Sequence, residues 1–434
     1  MSQGAAEHRD EGEKYAISLN GLMRLDAKNH RKVVFSWFIT MQDTRDTDVK
    51  VIIGLTLVHF IGDFYSSFIN PLLPVFVEKF ALTLTEVGLL AGLSRFLAFI
   101  VQPTVGYLAD YYRTRFFILG GPFLAIVFVS LVGVAPSYPV LLVFVSLGSI
   151  GSAMFHPSTA GMISAYAGRH FGLSMSIFNA GGTLAFGLGP LFITYLVGTY
   201  GLKVSPLTMI FGLAMMMVLL KIVPTPQGEG LAHLGFIGSF RDVLGSVWKP
   251  IVLIWVVMVL RAFVGQSFMT FIPVLYAQEG YALVAVGAVL SFFTVAGAVS
   301  GLLAGHLSDR LGYKPIFYLA HGLTTPSLFL LLYLKGNWIF CGAFLAGFFA
   351  MATLPLGVTM AQELAPKGRS MVSSLMMGLA FGLGGILMPL TGKLAEIFSI
   401  RSILFSLAII PCLSICLIAL LPEINSRSTK SIQH

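Results

Sequence analysis

The sequence predicts an all-α membrane protein with twelve transmembrane helices arranged as two six-helix pseudo-repeats. Its composition, its division into apolar segments and an internal repeat support this prediction. The 434 residues are 56% hydrophobic and 11% charged, whereas soluble domains carry about 25% charged residues. This composition excludes an ordinary soluble enzyme, a disordered protein and a nucleic-acid binder, and indicates the lipid bilayer as a partner.

Twelve apolar segments follow one another from residue 51 onward, separated by short breaks that carry turn residues. A helix needs about 20 residues to cross a bilayer, and the segments are of this order. The predicted spans are 51–76, 85–109, 115–135, 138–165, 171–198, 204–223, 250–276, 284–307, 314–334, 338–363, 370–396 and 401–421.

The longest break, 224–249, divides these segments into two sets of six. We therefore predict an N-terminal bundle over 51–223 and a C-terminal bundle over 250–421, joined by a cytoplasmic linker. The remaining segments, 1–50 and 422–434, contain no apolar run long enough to span and are predicted to be cytoplasmic tails.

The distribution of basic residues predicts the orientation of the chain. With both termini inside, 20 of the 27 Lys and Arg residues fall on the cytoplasmic side and five on the outer side, and Arg95 and Arg261 lie within spans. Cytoplasmic loops carry the excess of positive charge in membrane proteins. The same rule explains the net charge of +8.

The two halves repeat at an offset of about 199 residues. Five landmarks share this offset, which chance rarely produces. The matched pairs are Pro74 with Pro273, Gly106 with Gly305, Pro157 with Pro355, Arg169 with Arg369, and Pro190 with Pro389.

One loop element resembles the cytoplasmic signature of the major facilitator superfamily. The second copy, Gly305-x-x-x-Asp309-Arg310-x-Gly312-x-Lys314, matches the signature completely, and the first is degenerate. The resemblance implies the major facilitator fold, with a substrate site between the halves. It also implies an inward-side gate held by charge pairs. The first copy contributes Gly106, Asp110, Arg113 and Arg115.

Further motifs in the first half resemble the fosmidomycin-resistance type of bacterial exporter. This resemblance implies a proton-driven exporter of a drug or a small amphiphilic or anionic compound in the bacterial inner membrane. Members of that type usually have Glu and Arg where this chain has Ser158 and Gly161. The matching motifs are His59-Phe60 with Asp63, Gln102-Pro103, Phe155-His156-Pro157, Gly168 to Leu173, Phe178-Asn179, Gly181-Gly182 and Gly189-Pro190.

Ionisable residues at membrane depth mark transport pathways or proton relays. His59, Asp63 and Asn70 recur at helical spacing and share one stripe of the first segment. Asp63 is the principal proton-coupling candidate, and His59 and His156 are further candidates. The alternative for Asp63 is a structural role, in which it pairs permanently with Arg95 or hydrogen-bonds a neighbouring helix, and for His156 a helix-to-helix hydrogen bond.

Candidates for substrate binding are fewer. Arg95 and Arg261 can attract an anionic group, and Asn70, Gln266 and Asn179 can hydrogen-bond a ligand. For Arg95, pairing with Asp63 remains an equal alternative. His321 is interpreted as structural, because the resemblance places the ninth helix outside the cavity.

No signature of soluble catalysis is present, so we predict that the protein is not an enzyme, has no cofactor and binds no metal. Gly181-Gly182 and Gly384-Gly385 are interpreted as helix-packing glycines. Cys341, Cys412 and Cys416 lie in apolar runs and are expected to be buried, inert thiols. The resemblance to the superfamily implies a monomer.

Three functions are compatible with the sequence. The first is a proton-coupled exporter working by alternating access. The second is an uptake carrier of the same fold for an organic anion, sugar or phosphorylated metabolite. The third is a non-transporting membrane receptor or scaffold that interacts through its N-terminal tail.

Overall fold

The computed structural model of the protein describes residues 47–111, 114–225, 245–365, 372 and 375–423. Within these ranges the chain is helical and forms no strand. Twelve helices are long and apolar enough to cross a bilayer, which confirms the predicted fold class. We number them α1 to α12, with bounds Val49–Phe80, Leu84–Val105, Phe116–Val134, Tyr138–Ile163, Leu173–Tyr200, Leu202–Ile222, Trp248–Gln278, Leu283–Leu311, Tyr313–Tyr333, Trp338–Leu364, Leu375–Phe398 and Ile400–Ala419.

The predicted tails and linker fall largely outside the described residues. Residues 1–46, 226–244 and 424–434 are not described. The predictions that these segments are cytoplasmic therefore stay predictions. We call α1–α6 the N-terminal half and α7–α12 the C-terminal half.

Helix α1 begins at a side-chain cap and is interrupted after Ser66. The Val51 amide donates a hydrogen bond to Asp48 Oδ1 at 3.1 Å, which satisfies one free donor of the first turn. Regular helix resumes at Ile69, shortly before Pro71, whose ring nitrogen has no hydrogen to donate. The first part of α1 is thereby a separate rod, and it places two buried ionisable residues one turn apart.

The two halves touch through glycines, which let helix backbones approach closely in a membrane. Between α2 and α11, a β-carbon at Gly92 would lie 2.5 Å from the Gly385 carbonyl oxygen. Between α5 and α8, a β-carbon at Gly287 would lie 2.7 Å from the Pro190 carbonyl oxygen. Any side chain at these glycines would therefore push the halves apart.

These contacts are concentrated at one end of the molecule, which carries the short loops after α1 and α11. There a β-carbon at Gly392 would collide with the Leu84 carbonyl group. Toward the other end, the nearest described neighbour of a β-carbon at Gly378 would be Gln102 Oε1 at 3.8 Å, and a β-carbon at Gly305 would meet no described atom within 4 Å. We call the first end the closed end and the second, where α6 ends and α7 begins, the open end.

A single carboxylate joins the two halves at the closed end. Glu396 Oε1 of α11 accepts hydrogen bonds from the Thr85 amide of α2 at 2.8 Å and from Thr85 Oγ1 at 2.6 Å. Lys393 Nζ lies 3.0 Å from Glu396 Oε2. This arrangement stabilises the contact between α2 and α11.

Replacing Thr85 with valine is expected to raise the fraction of molecules in which the two halves separate at the closed end. The change removes one hydrogen bond to a carboxylate, which is worth about 1 kcal/mol at an exposed site. The population that is separated at the closed end should therefore rise about fivefold. Spin labels at the exposed residues Lys203, at the start of α6, and Lys335, in the loop between α9 and α10, should show a longer-distance component. Thr104→Val is the control, since Thr104 Oγ1 bonds only within its own helix, to Ile100. Identical distance distributions in wild type and Thr85→Val would refute this role.

The three cysteines are exposed, so the expectation that they are buried is wrong. Cys341 lies in α10, and Cys412 and Cys416 lie in α12. An apolar run in a membrane helix is satisfied by lipid as well as by protein. The sequence pattern alone therefore does not distinguish the lipid face from the core.

Candidate functional site

Three ionisable side chains meet inside the N-terminal half. His59 Nε2 of α1 lies 3.0 Å from Asp63 Oδ2, and His156 Nε2 of α4 lies 3.1 Å from Asp63 Oδ1. The Asp63 side chain is 4% exposed and that of His59 10%, whereas that of His156 is 31% exposed. The carboxylate is thus bracketed by two imidazoles, of which His156 is the more accessible. We call these three residues the His–Asp–His cluster.

Backbone hydrogen bonds determine which ring nitrogens carry hydrogen. His59 Nδ1 lies 2.9 Å from the Phe178 carbonyl oxygen, and His156 Nδ1 lies 2.7 Å from the Ser152 carbonyl oxygen. A carbonyl oxygen only accepts, so each Nδ1 is the donor. With its hydrogen on Nδ1, a neutral imidazole has no hydrogen on Nε2. A hydrogen bond between Nε2 and the carboxylate oxygen that it faces therefore requires one more proton, either on Nε2 or on Asp63.

The cluster therefore contains two positions in which a proton can be shared between nitrogen and oxygen. The position between His156 and Asp63 is the nearer of the two to solvent, because the His156 side chain is 31% exposed and that of His59 10%. A proton held there is therefore the more accessible of the two.

Aromatic rings enclose the cluster. The Phe178 ring stacks on the His59 ring with 4.1 Å between centroids, and the Phe155 ring stacks on the His156 ring at 4.2 Å. These rings keep water from the imidazole faces, and a low local dielectric strengthens the interactions inside. The exposed edge of His156 is thereby the accessible side of the cluster.

Helix α5 reaches the cluster only because residue 182 is glycine. A β-carbon at Gly182 would lie 2.5 Å from His59 Nε2 and 2.8 Å from Asp63 Oδ2. The sequence indicated only helix packing for Gly182, and no role for Phe178 beyond the motif. Their i, i+4 spacing, which places both on one face of α5, was the available signal.

The same three residues form the one group of potential metal ligands found among the described residues, with ligand atoms within 4.8 Å of one another. Three protein ligands are one fewer than a structural zinc site requires. Both nitrogens face the two oxygens of one carboxylate at hydrogen-bond distance. We interpret the cluster as a proton-sharing group, and the prediction of no metal stays a prediction.

Two predicted substrate ligands from opposite halves approach the same glycine of α11. A β-carbon at Gly385 would lie 3.0 Å from Arg95 Cγ and 3.4 Å from Gln266 Oε1. Gln266 Nε2 donates to the Phe381 carbonyl oxygen at 2.9 Å, and its buried Oε1 has no hydrogen-bond partner among the described residues. The boundary between the halves therefore presents a cationic side chain beside an unused acceptor.

The remaining predicted ligands lie apart from these groups. Asn70 is partly buried in α1 and Asn179 is exposed in α5, and among the described contacts neither side chain bonds to the His–Asp–His cluster. Arg261 is buried within the C-terminal half, with its guanidinium 5.6 Å from the centroid of the Phe381 ring. Asp63 has the two histidines as its ion-pair partners, and Arg95 is not among them within the described part of the chain.

The first copy of the loop motif is described only in part. Arg115 Nη1 donates to the Leu220 and Val223 carbonyl oxygens at 3.2 and 3.1 Å, so it caps the C-terminal end of α6 in its own half. Arg113 lies outside the described residues, as do the surroundings of Gly106 and Asp110.

The second copy ends α8 at the open end. Gly312 has a φ of 83°, a conformation that favours glycine, and separates α8 from α9. Asp309 and Arg310 are exposed, and Lys314 is partly buried at the start of α9. The role of this motif as a gate stays a prediction.

Comparison with known proteins places the chain beside membrane transporters. The family model described as Major Facilitator Superfamily matches residues 55–389 and again 285–432. The fosmidomycin resistance protein of Escherichia coli is 26% identical over 383 residues, covering 86% of this chain and 93% of that protein. The MFS-type transporter YfnC of Bacillus subtilis, described as uncharacterized, is 26% identical over 398 residues, covering 88% and 95%.

Solved structures show the same fold. A bacterial homologue of the human lysosomal transporter Spinster, in an inward-facing and occupied conformation, has a TM-score of 0.72 at 16% identity, covering 86% of this chain and 96% of that one. The nucleoside transporter NupG has a TM-score of 0.65 at 14% identity, covering 86% and 98%.

Proposed function

The chain belongs to the Major Facilitator Superfamily and is a multi-pass membrane transporter, and we propose that it is a proton-driven exporter. Its cargo is a drug or a small amphiphilic or anionic compound of the fosmidomycin kind. It works in the bacterial inner membrane with both termini in the cytoplasm, and it acts as a monomer. The His–Asp–His cluster is the observation that carries this proposal.

Proton coupling requires a group that binds a proton in one state and releases it in another. The cluster supplies two shared proton positions around a carboxylate that is 4% exposed, and one of them borders the accessible His156. A buried ionisable group is expensive inside a membrane, so it marks a relay by default. Asp63 is the acceptor, His156 its connection to the cavity and His59 its second partner.

The proposed orientation defines the state of the protein. With the termini and the linker in the cytoplasm, the closed end is the outer end and the open end faces inward. His156 then exchanges protons with the cytoplasmic cavity. Rocking of the halves would break the Thr85–Glu396 contacts and open the other end.

This geometry is compatible with an antiport cycle. In the inward-open state the cluster releases a proton through His156 to the cytoplasm, and the cargo binds between the halves. Arg95 attracts an anionic group of the cargo, and Gln266 Oε1 accepts a hydrogen bond from it. After the halves rock, the cargo leaves outward and a proton enters the cluster from the outer side.

Accumulation of labelled fosmidomycin in everted membrane vesicles energised by respiration tests this function. Export from a cell corresponds to uptake into such vesicles, so we expect accumulation that collapses when a protonophore is added. The matched control is vesicles from cells that express the Asp63→Asn variant at the same level. These should retain only the background seen without the transporter.

Other outcomes would contradict the proposal. Accumulation that persists with the protonophore would exclude the proton gradient as the driving force. Proton-dependent accumulation in right-side-out vesicles alone would indicate an uptake carrier. A protein that transports nothing, but loses a cellular role when residues 1–40 are removed, would indicate a scaffold.

A further inference from the structure

A small pocket with both apolar and polar lining residues lies wholly inside the C-terminal half. Its walls come from α7, α9, α10 and α12, so it is separate from the boundary between the halves. The polar residues that line it are Arg261, His321, Thr324, Thr353 and Ser414, all of which are buried.

Arg261 brings a positive charge into this pocket. The residue is 8% exposed, and its Nε and Nη2 atoms have no hydrogen-bond partner among the described residues. Within the same residues no carboxylate lies within ion-pair distance of it. The face of the Phe381 ring offers only a weak cation–π contact. Burying a charge without compensation is costly, so a bound anion would stabilise the guanidinium.

The other polar atoms are arranged to complete such a site. His321 Nδ1 donates to the Phe317 carbonyl oxygen at 3.1 Å, which leaves Nε2 as a buried acceptor without a partner among the described residues. The hydroxyl groups of Thr324 and Ser414 bond to backbone carbonyls of their own helices, at 2.7 and 3.0 Å. Hydroxyl hydrogens rotate, so both can turn to donate to a ligand. His321 and Arg261 thus line the same pocket, which a purely structural interpretation of this histidine does not explain.

We propose that this pocket binds a small monovalent anion. One negative charge neutralises Arg261, whose free Nε and Nη2 groups donate to it, and the hydroxyls of Thr324, Thr353 and Ser414 complete the shell. His321 Nε2 accepts a hydrogen bond from the anion when it carries an O–H group, as bicarbonate does, and a halide has no such donor. The site is independent of the proposed export function, because neutralising a buried charge requires no transport.

Thermal unfolding of the purified full-length protein in detergent tests the site directly. Sodium gluconate is replaced by sodium chloride or sodium bicarbonate at constant pH and ionic strength. We expect a saturable rise in Tm of about 3 °C, because a ligand that binds only the folded state stabilises it. A larger rise with bicarbonate would identify a hydroxyl-bearing oxyanion, and an equal or larger one with chloride a halide.

Variants establish where the anion binds. Arg261→Gln should abolish the saturable rise, and Ser414→Ala should weaken the apparent affinity several-fold if Arg261→Gln does not fold. Arg401→Gln is the control, because Arg401 already pairs with Glu279 and should leave the anion effect intact. No saturable effect of either anion on the wild type, or an unchanged effect in Arg261→Gln and Ser414→Ala, would overturn the proposal. Neither result would alter the interpretation of the His–Asp–His cluster.

Discussion

Asp63→Asn is expected to abolish proton-driven accumulation while the protein still folds and inserts. Asparagine has nearly the same size, but it is neutral and its amide group does not exchange a proton with His59 or His156. A charge-assisted hydrogen bond is worth about 1.5–3 kcal/mol, so coupled transport should fall at least tenfold. Transport in everted vesicles, normalised to the amount of protein in the membrane, measures the change.

The matched control for this experiment is Glu86→Gln, which makes the same carboxyl-to-amide change at the end of α2. Glu86 accepts hydrogen bonds from Thr83, just before α2, and is not among the ion-pair partners of the His–Asp–His cluster within the described residues. This variant should transport like the wild type. Full proton-driven activity in Asp63→Asn would exclude Asp63 as the coupling residue.

Gly182→Ala is expected to disrupt the His–Asp–His cluster without replacing any of its ionisable residues. The added methyl group would lie 2.5 Å from His59 Nε2 and 2.8 Å from Asp63 Oδ2, closer than real contacts allow. Either α5 or the His59–Asp63 pair must therefore shift. We expect coupled transport to fall about tenfold or more, since a shift of this size breaks a hydrogen bond to a charged group.

Gly198→Ala provides the control on the same helix. Its added methyl group would lie 3.6 Å from Val284 Cγ2, which is an ordinary van der Waals contact. This variant should keep near-normal transport and its protonophore sensitivity. Wild-type transport and pH dependence in Gly182→Ala would mean that α5 does not position the cluster.

Only part of the His–Asp–His cluster could be predicted from the sequence. The spacing of His59 and Asp63 placed them on one face of a single helix, because a helix repeats every 3.6 residues. His156 was a candidate through its own segment and a motif resemblance. That both imidazoles bracket one carboxylate depends on the packing of α4 against α1, which sequence periodicity does not specify.

The substrate candidates divide in the same way. Arg95 and Gln266 were selected as polar residues at membrane depth, and the packing of α2 and α7 on Gly385 brings them close together. Arg261 was selected for the same reason, yet it lies in a pocket inside one half. Arg95 and Arg261 are both arginines at membrane depth, yet they belong to different sites. The rotation of each helix about its axis determines which neighbours its side chains contact.

The sequence by itself determined the membrane class, the twelve spans and the two-fold repeat. These depend on local properties, since each span must be apolar and satisfy its own backbone hydrogen bonds. Only the tertiary structure decided which end of the molecule is closed, which polar groups meet and whether a cysteine faces lipid or protein. Those features depend on the rotation and close approach of helices that lie far apart in the chain. Glycines such as Gly182 and Gly385 allow that approach because they have no side chain.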